Sequence, residues 1–410
     1  MEFRLYQLIA IEKALEFPGF ALFMEQRTGK TSVAMEIAKR RQPKRLLITC
    51  PEIAFAVWRK ELSDSGGVLG CVTRIITHDS LWRQRKRLKR WAPDGIIADE
   101  THRFKAHDSR RSKALRLVAK YASWRLALTG TPIAQGIWDA WAQFDFMDPS
   151  IFGLWSEFQE RYLTYGGYYG HKIVGTRNVK EFQQKFHSRT YRVLLENVQT
   201  TKTKISTRVV KFDLAESRPA YDSMEETFIA ELNATKRVIA PRVITQVLKL
   251  HQLSGGFIID EDRKAHHVGD EKLTQAGALI LTLGEPVVVV VRFLPELRRL
   301  NALCLALGLT TTKISGSNKF VDFKTDVAII QIQSGMSIDL ARSAQLIFYS
   351  MNHSYLDFDQ ARFRVRSFDS KAVGYYFLLA RNTIDEDIYN AVSNKQGLAK
   401  FIIDKYRRRT

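Results

Sequence analysis

Cysteine is scarce in this chain of 410 residues, and its three cysteines lie far apart, at Cys50, Cys71 and Cys304. Their spacing contains no close cysteine pair of the kind that holds zinc or an iron–sulfur cluster. The pattern fits a reducing compartment in which each thiol is simply buried. We therefore expect no zinc site.

Long apolar runs are lacking as well. No stretch approaches the roughly 20 apolar residues that a membrane-spanning helix needs. The first residues, Met-Glu-Phe-Arg-Leu-Tyr-Gln, do not follow the basic-then-apolar pattern of a secretory signal. Low-complexity tails and repeats of 20–50 residues are also lacking. The sequence predicts a cytoplasmic protein without a membrane partner.

Acidic residues are few compared with basic ones. The chain has 63 Lys and Arg against 43 Asp and Glu, which gives a net charge of +20. A positive excess of this size favours a polyanionic partner, and nucleic acid is the first candidate. The alternative is a well-solvated basic surface that binds nothing specific.

The length predicts about two domains of roughly 100–200 residues each. Short β-rich runs alternate with longer amphipathic stretches, a pattern typical of α/β domains with mainly parallel sheet. Several runs are apolar at every position, which indicates strands buried on both faces. The predicted strands are 46–50, 95–98 and 125–129 in the first half, and 286–291, 326–331, 345–349 and 375–379 in the second.

The region between these two sets of strands, about 137–260, is rich in aromatic and helix-forming residues. We expect it to be mostly helical, with an exposed loop at 165–171. The aromatic residues from Trp138 to Tyr162 could stack on bases. Packing between helices is the interpretation that we favour for them.

Residues 21–31 read as a phosphate-binding loop. A strand at 21–23 is followed by the turn Arg27-Thr28-Gly29 and a helix that begins at Lys30. Backbone N–H groups at such a helix start bind phosphate, and a Lys bridges the outer phosphates of a nucleotide. Lys30 would contact the β and γ phosphates, and the Thr31 hydroxyl would bind Mg²⁺. Met24 replaces the first Gly of the usual loop. This segment alone therefore fits a kinase or a GTPase as well as it fits a motor protein.

An acidic pair, Asp99-Glu100, follows the buried strand 95–98. Asp99 could hold the magnesium, and Glu100 could orient or deprotonate the attacking water. An Asp that only caps a helix is the alternative. The upstream Gly-Lys-Thr favours the catalytic interpretation.

The segment 99–105, Asp-Glu-Thr-His-Arg-Phe-Lys, resembles the D-E-A-H-R-x-K box of superfamily 2 helicases, and its basic end is similar to the Snf2-type branch. Other segments resemble the family's motifs in the same order along the chain. They are Tyr6-Gln7 (Q motif), 49–51 with 58–62 (motif Ia), 128–133 (motif III), 189–192 (the end of the first insertion), 269–273 and 291–293 (the start of the second domain and motif IV), 314–317 (a turn near DNA), 333–340 (motif V), 359–366 (motif VI) and 383–389 (the terminal helix).

The resemblance implies an α/β fold of two RecA-like parallel-sheet domains with helical insertions between them, which hold ATP and Mg²⁺ in the cleft between the domains. The expected boundaries are 1–200 for the first domain, with a helical insertion at about 137–200. The second domain would cover 201–410 and begin with a helical segment at about 210–260.

The resemblance also implies a set of site residues. The expected ATP-binding residues are Gln7, Arg27, Thr28, Gly29, Lys30, Thr31 and Ser32, and the expected magnesium ligands are Thr31 and Asp99. The expected catalytic residues are Lys30, Asp99, Glu100, Arg364 and Arg366. The residues expected to bind nucleic acid, or to couple hydrolysis to it, are Thr129, Gly130, Thr131, Ser315, Gly316, Gly335 and Asp339.

Motif VI departs from the family pattern, because Ser367 stands where the second Arg is usual. An Arg from a second domain can neutralise charge on the transferring phosphoryl group. We expect Arg364 to have this role, with Arg366 as a helper.

Snf2-type proteins usually move along duplex DNA without separating its strands, so we expect a DNA-dependent ATPase that translocates on duplex DNA. Two alternatives stay open: a strand-separating DNA or RNA helicase, and a DNA-binding scaffold whose ATPase has decayed. The short chain resembles a compact bacterial or phage form that acts as a monomer. Its target would then come from a partner protein or from DNA structure.

The run Arg83-Gln84-Arg85-Lys86-Arg87-Leu88-Lys89-Arg90-Trp91 belongs to none of these motifs. It could contact phosphates, which would make binding sensitive to salt. It could equally be the exposed face of a helix.

Overall fold

The computed structural model describes residues 2–133, 135–167, 172–199, 202–234, 240–284, 286–316, 323–333 and 340–394. The chain divides into two compact units, Met1–Thr200 and Thr201–Thr410. No helix in these ranges is both long enough and apolar enough to cross a membrane.

The first unit alternates strands and helices. Its elements are α1 (Leu5–Leu15), β1 (Gly19–Met24), α2 (Lys30–Arg41), β2 (Arg45–Cys50), α3 (Phe55–Asp64), β3 (Val72–Thr77), α4 (His78–Trp91), β4 (Gly95–Ala98), α5 (Arg110–Ala119), β5 (Trp124–Leu128), α6 (Trp138–Met147), α7 (Trp155–Tyr162), β6 (Leu163–Gly166), β7 (Lys172–Thr176), α8 (Val179–Ser188), β8 (Thr190–Val193) and α9 (Leu195–Val198).

Six of these strands form one parallel sheet in the order β3-β2-β4-β5-β1-β8. Successive residues of β1 face opposite sides of the sheet, as strand geometry requires. Phe23 packs into one core with α4, α5 and α6, whereas Leu22 packs into another with α1 and α2. Because both faces are covered, β1 and β4 are apolar throughout, and β5 is apolar except for Arg125.

The second unit is built in the same way. Its elements are β9 (Lys204–Phe212), α10 (Arg218–Ala234), α11 (Ala240–Ser254), β10 (Phe257–Ile259), β11 (Ala265–His267), α12 (Glu271–Leu283), β12 (Val287–Val291), α13 (Leu294–Ala306), β13 (Thr311–Ile314), β14 (Val327–Gln331), β15 (Gln345–Phe348), α14 (Tyr355–Arg362), β16 (Ala372–Ala380) and α15 (Ile384–Ser393). Six strands form a parallel sheet in the order β13-β14-β12-β15-β16-β9.

The prediction of an α/β fold with two parallel sheets, the arrangement expected of RecA-like domains, is therefore confirmed. Each predicted strand is present, with ends that differ by three residues at most. The aromatic residues of α6 and α7 lie in the core, as favoured, because Phe144, Phe146 and Phe158 are almost completely buried. Cys50 and Cys304 are free and buried, while Cys71 is partly exposed.

The region at about 137–260 is helical only in part, which corrects the sequence-based expectation. Strands β8 and β9 lie in this region and form an edge of each sheet, and β6 and β7 form an antiparallel hairpin. Of the predicted loop at 165–171, residues 165 and 166 belong to β6, and residues 168–171 lie outside the described ranges. Edge strands and hairpins have one open side, so they lack the continuous apolar run by which buried strands are recognised.

Candidate nucleotide-binding site

Three of the predicted motifs meet at one edge of the first sheet. Strand β5 lies between β1 and β4, and all three run in parallel. Their carboxyl ends, at Met24, Leu128 and Ala98, therefore lie side by side. The phosphate loop, the acidic pair and the Thr-Gly-Thr segment follow these ends directly. The carboxyl edge of a parallel sheet is the usual place for a ligand.

The phosphate loop needs two left-handed residues before helix α2 begins. Arg27 has φ 68° and Gly29 has φ 80°. The side chains of Tyr6 and Gln7 both donate hydrogen bonds to the carbonyl oxygen of Thr28, at 3.1 Å each. A Cβ atom at Gly29 would collide with the Gln7 amide. Helix α1 thus braces the loop, and Gln7, which was predicted to bind ATP, lies against the loop itself.

Lys30 is the first residue of α2, and its ammonium group is buried. The Lys30 Nζ atom has no hydrogen-bond partner among the described residues. A buried ammonium without a partner is costly, because it has lost its water and gained little in return. Its positive charge acts on both Asp99 and Glu100. The group is therefore placed to bind an anion.

Asp99 follows β4 and is held from two sides. The indole N–H of Trp58 donates to Asp99 Oδ2 at 2.9 Å, and the backbone N–H of Glu100 donates to Asp99 Oδ1 at 2.9 Å. Trp58 lies on α3 and is almost completely buried. The sequence analysis assigned no role to Trp58, although the resemblance of 58–62 to motif Ia was a signal that this helix lies near the site.

Glu100 has the unusual φ of 47°, a left-handed conformation that costs a non-glycine residue roughly 1–2 kcal/mol. Such backbone outliers cluster at functional sites. The Glu100 carboxylate lies 3.2 Å from His102 Nδ1, which is also 2.9 Å from the hydroxyl of Thr129. The acidic pair is thereby connected to the segment after β5.

The two carboxyl groups have different acidities. Burial and the neighbouring Glu100 charge raise the pKa of Asp99 to about 6, and the charge of Lys30 only partly opposes this. Burial alone would also raise the pKa of Glu100. Lys30 and His102 outweigh it and lower this pKa to about 2. Glu100 is thus the more strongly ionised member of the pair.

The residues present fit a magnesium ion bound together with a phosphate group. Magnesium is usually held by one or two protein oxygens and by phosphates, rather than by a complete protein cage. The described ranges contain no group of three or more His, Cys, Asp or Glu residues that could bind a metal. Thr31 on α2 and Asp99 after β4 would supply the protein oxygens.

The predicted coupling residues fall into two groups. Thr129 is completely buried and Gly130 lies beside the Lys30 ammonium, so both belong to the nucleotide edge, with Thr131 following them. The Thr131 backbone N–H donates to the Thr129 hydroxyl at 3.2 Å. Ser315 and Gly316 follow β13 in the second unit, and Gly316 is exposed. Gly335 and Asp339 lie outside the described residues.

Arg364 and Arg366 belong to the second unit, just after α14. Both are buried, and the Arg366 guanidinium lies 4.9 Å from the centre of the Phe363 ring. The carbonyl oxygen of Arg364 accepts a hydrogen bond from the Leu340 backbone at 3.2 Å. The neighbouring Arg362 pairs with Asp359 at 3.1 Å.

Comparison with known proteins agrees with this geometry. Residues 70–213 match the SNF2-related domain. The chain is also similar to the ISWI chromatin-remodeling complex ATPase CHR11 of Arabidopsis thaliana, with 25% identity over 231 residues that cover 54% of the chain. These similarities support an Snf2-type protein of superfamily 2. The Snf2-type resemblance of the acidic segment at 99–105 is thereby confirmed.

Two further proteins are similar over a larger part of the chain. The uncharacterized ATP-dependent helicase MG018 of Mycoplasma genitalium is 22% identical over 349 residues, or 80% of the chain. A solved structure, the Sulfolobus solfataricus SWI2/SNF2 ATPase core in complex with dsDNA, is 20% identical with a TM-score of 0.45, and the match covers 99% of this chain and 93% of that one. The matched part spans only 20% of CHR11 and 32% of MG018.

Proposed function

We propose that the chain is an ATP-dependent DNA translocase, which hydrolyses ATP with magnesium and uses the energy to move along duplex DNA. The single observation that carries the proposal is the buried ammonium of Lys30 at the start of α2, which lies beside Asp99 and Glu100 and has no hydrogen-bond partner in the described part of the chain. A cation without a partner and an acidic pair at one sheet edge together suit a nucleotide triphosphate with its metal ion.

Each residue of this site has a distinct proposed task. Lys30 and the backbone N–H groups at the start of α2 bind the phosphates, because a helix start attracts anions. Asp99 and Thr31 hold Mg²⁺, which neutralises phosphate charge when it is bound. Glu100, ionised at neutral pH, orients the attacking water. His102 connects Glu100 to Thr129 and thereby to the segment with a proposed coupling role.

One further catalytic residue is proposed in the second unit. Arg364 is proposed to neutralise charge on the transferring phosphoryl group, an effect worth about 10³–10⁵ in rate in other systems. Ser315, Gly316, Gly335 and Asp339 would contact or sense the DNA.

The proposal is tested by measuring ATP hydrolysis with single-stranded, duplex, forked and RNA substrates, and translocation by displacement of a third strand from a triplex. We expect duplex DNA to stimulate hydrolysis at least as well as the other substrates, and the triplex strand to be released only with ATP. The Arg364→Ala variant should bind ATP but lose most of its hydrolysis. Stimulation by RNA alone, or triplex release without ATP, would contradict the proposal.

A strand-separating helicase is the second candidate. This candidate is favoured by the similarity to MG018, which covers 80% of the chain, because the name of MG018 describes an ATP-dependent helicase. A forked duplex with a fluorescent strand distinguishes the two candidates. If the fluorescent strand is released with ATP, at a rate that matches ATP hydrolysis, the chain is a strand-separating helicase and not a translocase that leaves the duplex intact.

A further inference from the structure

The basic run at 83–91 lies on α4, and the outward face of this helix is entirely positive over its second half. Leu81 and Leu88 are buried, and Trp82 and Trp91 pack against the same core. The apolar side of the helix is therefore buried against the core of the first unit. The residues that are left exposed on α4 after Ser80 are Arg83, Lys86, Arg87, Lys89 and Arg90.

Helix α5 extends this face. Arg110 and Lys113 are exposed on α5, and the exposed Lys120 directly follows its last residue; the three repeat at the spacing of one helix side. The two helices lie side by side, because Arg111 pairs with Asp79 near their starts. Near their ends, Lys89 and Lys120 both lie over the ring of Tyr121, at 5.9 and 5.8 Å from its centre. We call these eight exposed cations the α4–α5 surface: five on α4, two on α5 and Lys120 directly after α5.

The cations of the α4–α5 surface have no acidic partner among the described residues. In the part of the chain that the structure describes, none of the eight forms an ion pair, whereas the nearby Arg116 pairs with Asp145 at 3.0 Å. Eight like charges on two adjacent helices repel one another, which destabilises the folded state unless an anion binds. The surface is thus complementary to a polyanion.

The position of this surface separates it from the nucleotide edge. Helices α4 and α5 begin at the carboxyl edge of the sheet, after β3 and β4, and run back along its face. Their second halves, which carry most of the cations, therefore lie towards the opposite edge of the sheet. The predicted coupling residues Thr129, Gly130 and Thr131 are at the carboxyl edge instead.

We propose that the α4–α5 surface binds the phosphate backbone of a DNA duplex, at a place distinct from the nucleotide edge. The row from Arg83 to Arg90 is about 10 Å long at 1.5 Å per residue, which is enough to face several phosphates of a duplex. A membrane-surface helix would need an apolar face beside its basic one, and the apolar face of α4 is buried. The choice of DNA as the polyanion rests on the proposed function.

The test is the affinity of the whole chain for a fluorescent duplex of about 20 base pairs without nucleotide, measured by anisotropy at several salt concentrations. The variant Arg83→Glu, Arg87→Glu, Arg90→Glu reverses three exposed charges on one line of α4. The control, Lys44→Glu, Lys172→Glu, Lys180→Glu, reverses three exposed charges of the same unit that lie outside the surface. Circular dichroism and thermal unfolding check that both variants are folded.

We expect the α4 variant to bind at least about tenfold more weakly. Its slope of log affinity against log salt should fall by about 2–3, since each lost phosphate contact contributes roughly 0.9. The control should stay within about threefold of the wild type and keep its slope. An equal loss of affinity in the two variants would show that only net charge matters. An unchanged slope of log affinity against log salt in the α4 variant would refute the proposed phosphate contact.

Two further results keep this proposal separate from the proposed function. If polyglutamate competes with the duplex as well as unlabelled DNA does, charge for charge, the surface suits an acidic protein and the DNA assignment is overturned. Duplex binding that depends on the α4 cations but never stimulates ATP hydrolysis would overturn the translocase and leave the surface in place.

Discussion

The carboxylate of Asp99 shows how single residues prepare the candidate site. Both of its oxygens accept a hydrogen bond from the protein, one from the indole of Trp58 and one from the backbone of Glu100. A carboxylate held in this way cannot rotate freely, so its remaining lone pairs point in fixed directions. Trp58 therefore acts on the proposed magnesium ion through Asp99, as a positioning residue.

The variant Trp58→Phe should keep the aromatic packing of α3 and lose the donor to Asp99. Hydrogen bonds to charged groups contribute about 1.5–3 kcal/mol. We expect ATP hydrolysis to fall roughly tenfold, which corresponds to about 1.4 kcal/mol, and the magnesium concentration for half-maximal activity to rise. A magnesium titration of the steady-state rate measures both effects.

Trp141→Phe is the matched control. Trp141 is also buried and also donates through its indole, but its acceptor is the carbonyl oxygen of Gly153 at 3.1 Å. This variant should lose some stability and keep the magnesium dependence of the wild type. An equal shift in both variants would mean that tryptophan packing alone matters.

At the scale of elements, one buried carboxylate fastens the terminal helix of the second unit. Asp385 lies in the first turn of α15 and accepts hydrogen bonds from Lys272 on α12 at 2.6 Å and from Ser254 on α11 at 2.7 Å. The backbone N–H of Ala380, at the end of β16, lies 3.2 Å from the same carboxylate. Four elements thus meet at one side chain.

The variant Lys272→Met should destabilise the chain by about 3–5 kcal/mol, because it leaves a buried carboxylate without its counter-charge. Urea unfolding followed by circular dichroism gives the free energy. The matched control is Lys211→Met. Lys211 is exposed, and its ammonium lies 2.8 Å from the carboxylate of Glu386, the residue that follows Asp385. That exposed pair should contribute less than about 1 kcal/mol. Similar losses in the two variants would refute the anchoring role of Asp385.

The elements that the sequence predicts well are those whose local pattern matches their surroundings. The five valines of β12 are buried on both faces, so their run alone identifies the strand. Strand β9 is exposed along most of its length and pairs with β16, whose residues lie 168 positions later. Its pairing depends on the complete fold, which no local pattern contains.

The same limit applies to the site. The phosphate loop and the acidic pair are local motifs and could be predicted from the sequence. The hydrogen bond between Trp58 and Asp99 joins residues that are 41 positions apart, and α3 must pack on the sheet before it forms. The brace of Tyr6 and Gln7 on the loop is likewise a product of packing.

At the scale of the whole molecule, each unit contains a histidine that is kept neutral by its surroundings. Burial, together with nearby cations, lowers the pKa of His78 in the first unit and of His251 in the second well below the ordinary value. The Arg292 guanidinium lies 3.2 Å from His251 Nδ1. Because a guanidinium can only donate, Nδ1 accepts and the proton of the neutral ring is on Nε2.

These histidines should make the chain unstable in mild acid. The unfolded chain takes up a proton at each histidine near pH 6.5, and the folded chain does not. The stabilisation is therefore complete above about pH 6.5 and is lost as the pH falls, by up to about 1.4 kcal/mol per pH unit for each histidine. Urea unfolding at pH 7.5 and 5.5 measures this loss. In His251→Gln the loss of unfolding free energy between pH 7.5 and 5.5 should be smaller by the contribution of one histidine. An unchanged pH dependence would contradict the conclusion that His251 is neutral in the folded chain.

The central claim is that one site, built around Lys30, drives a DNA-dependent ATPase. The most direct test is the steady-state rate of phosphate release by the wild type and by Lys30→Ala, with and without saturating duplex DNA. We predict that duplex DNA stimulates the wild type and that the variant loses ATP hydrolysis under both conditions while its thermal unfolding stays that of a folded protein. Near-wild-type turnover in folded Lys30→Ala, or a wild type that duplex DNA does not stimulate, would contradict the account.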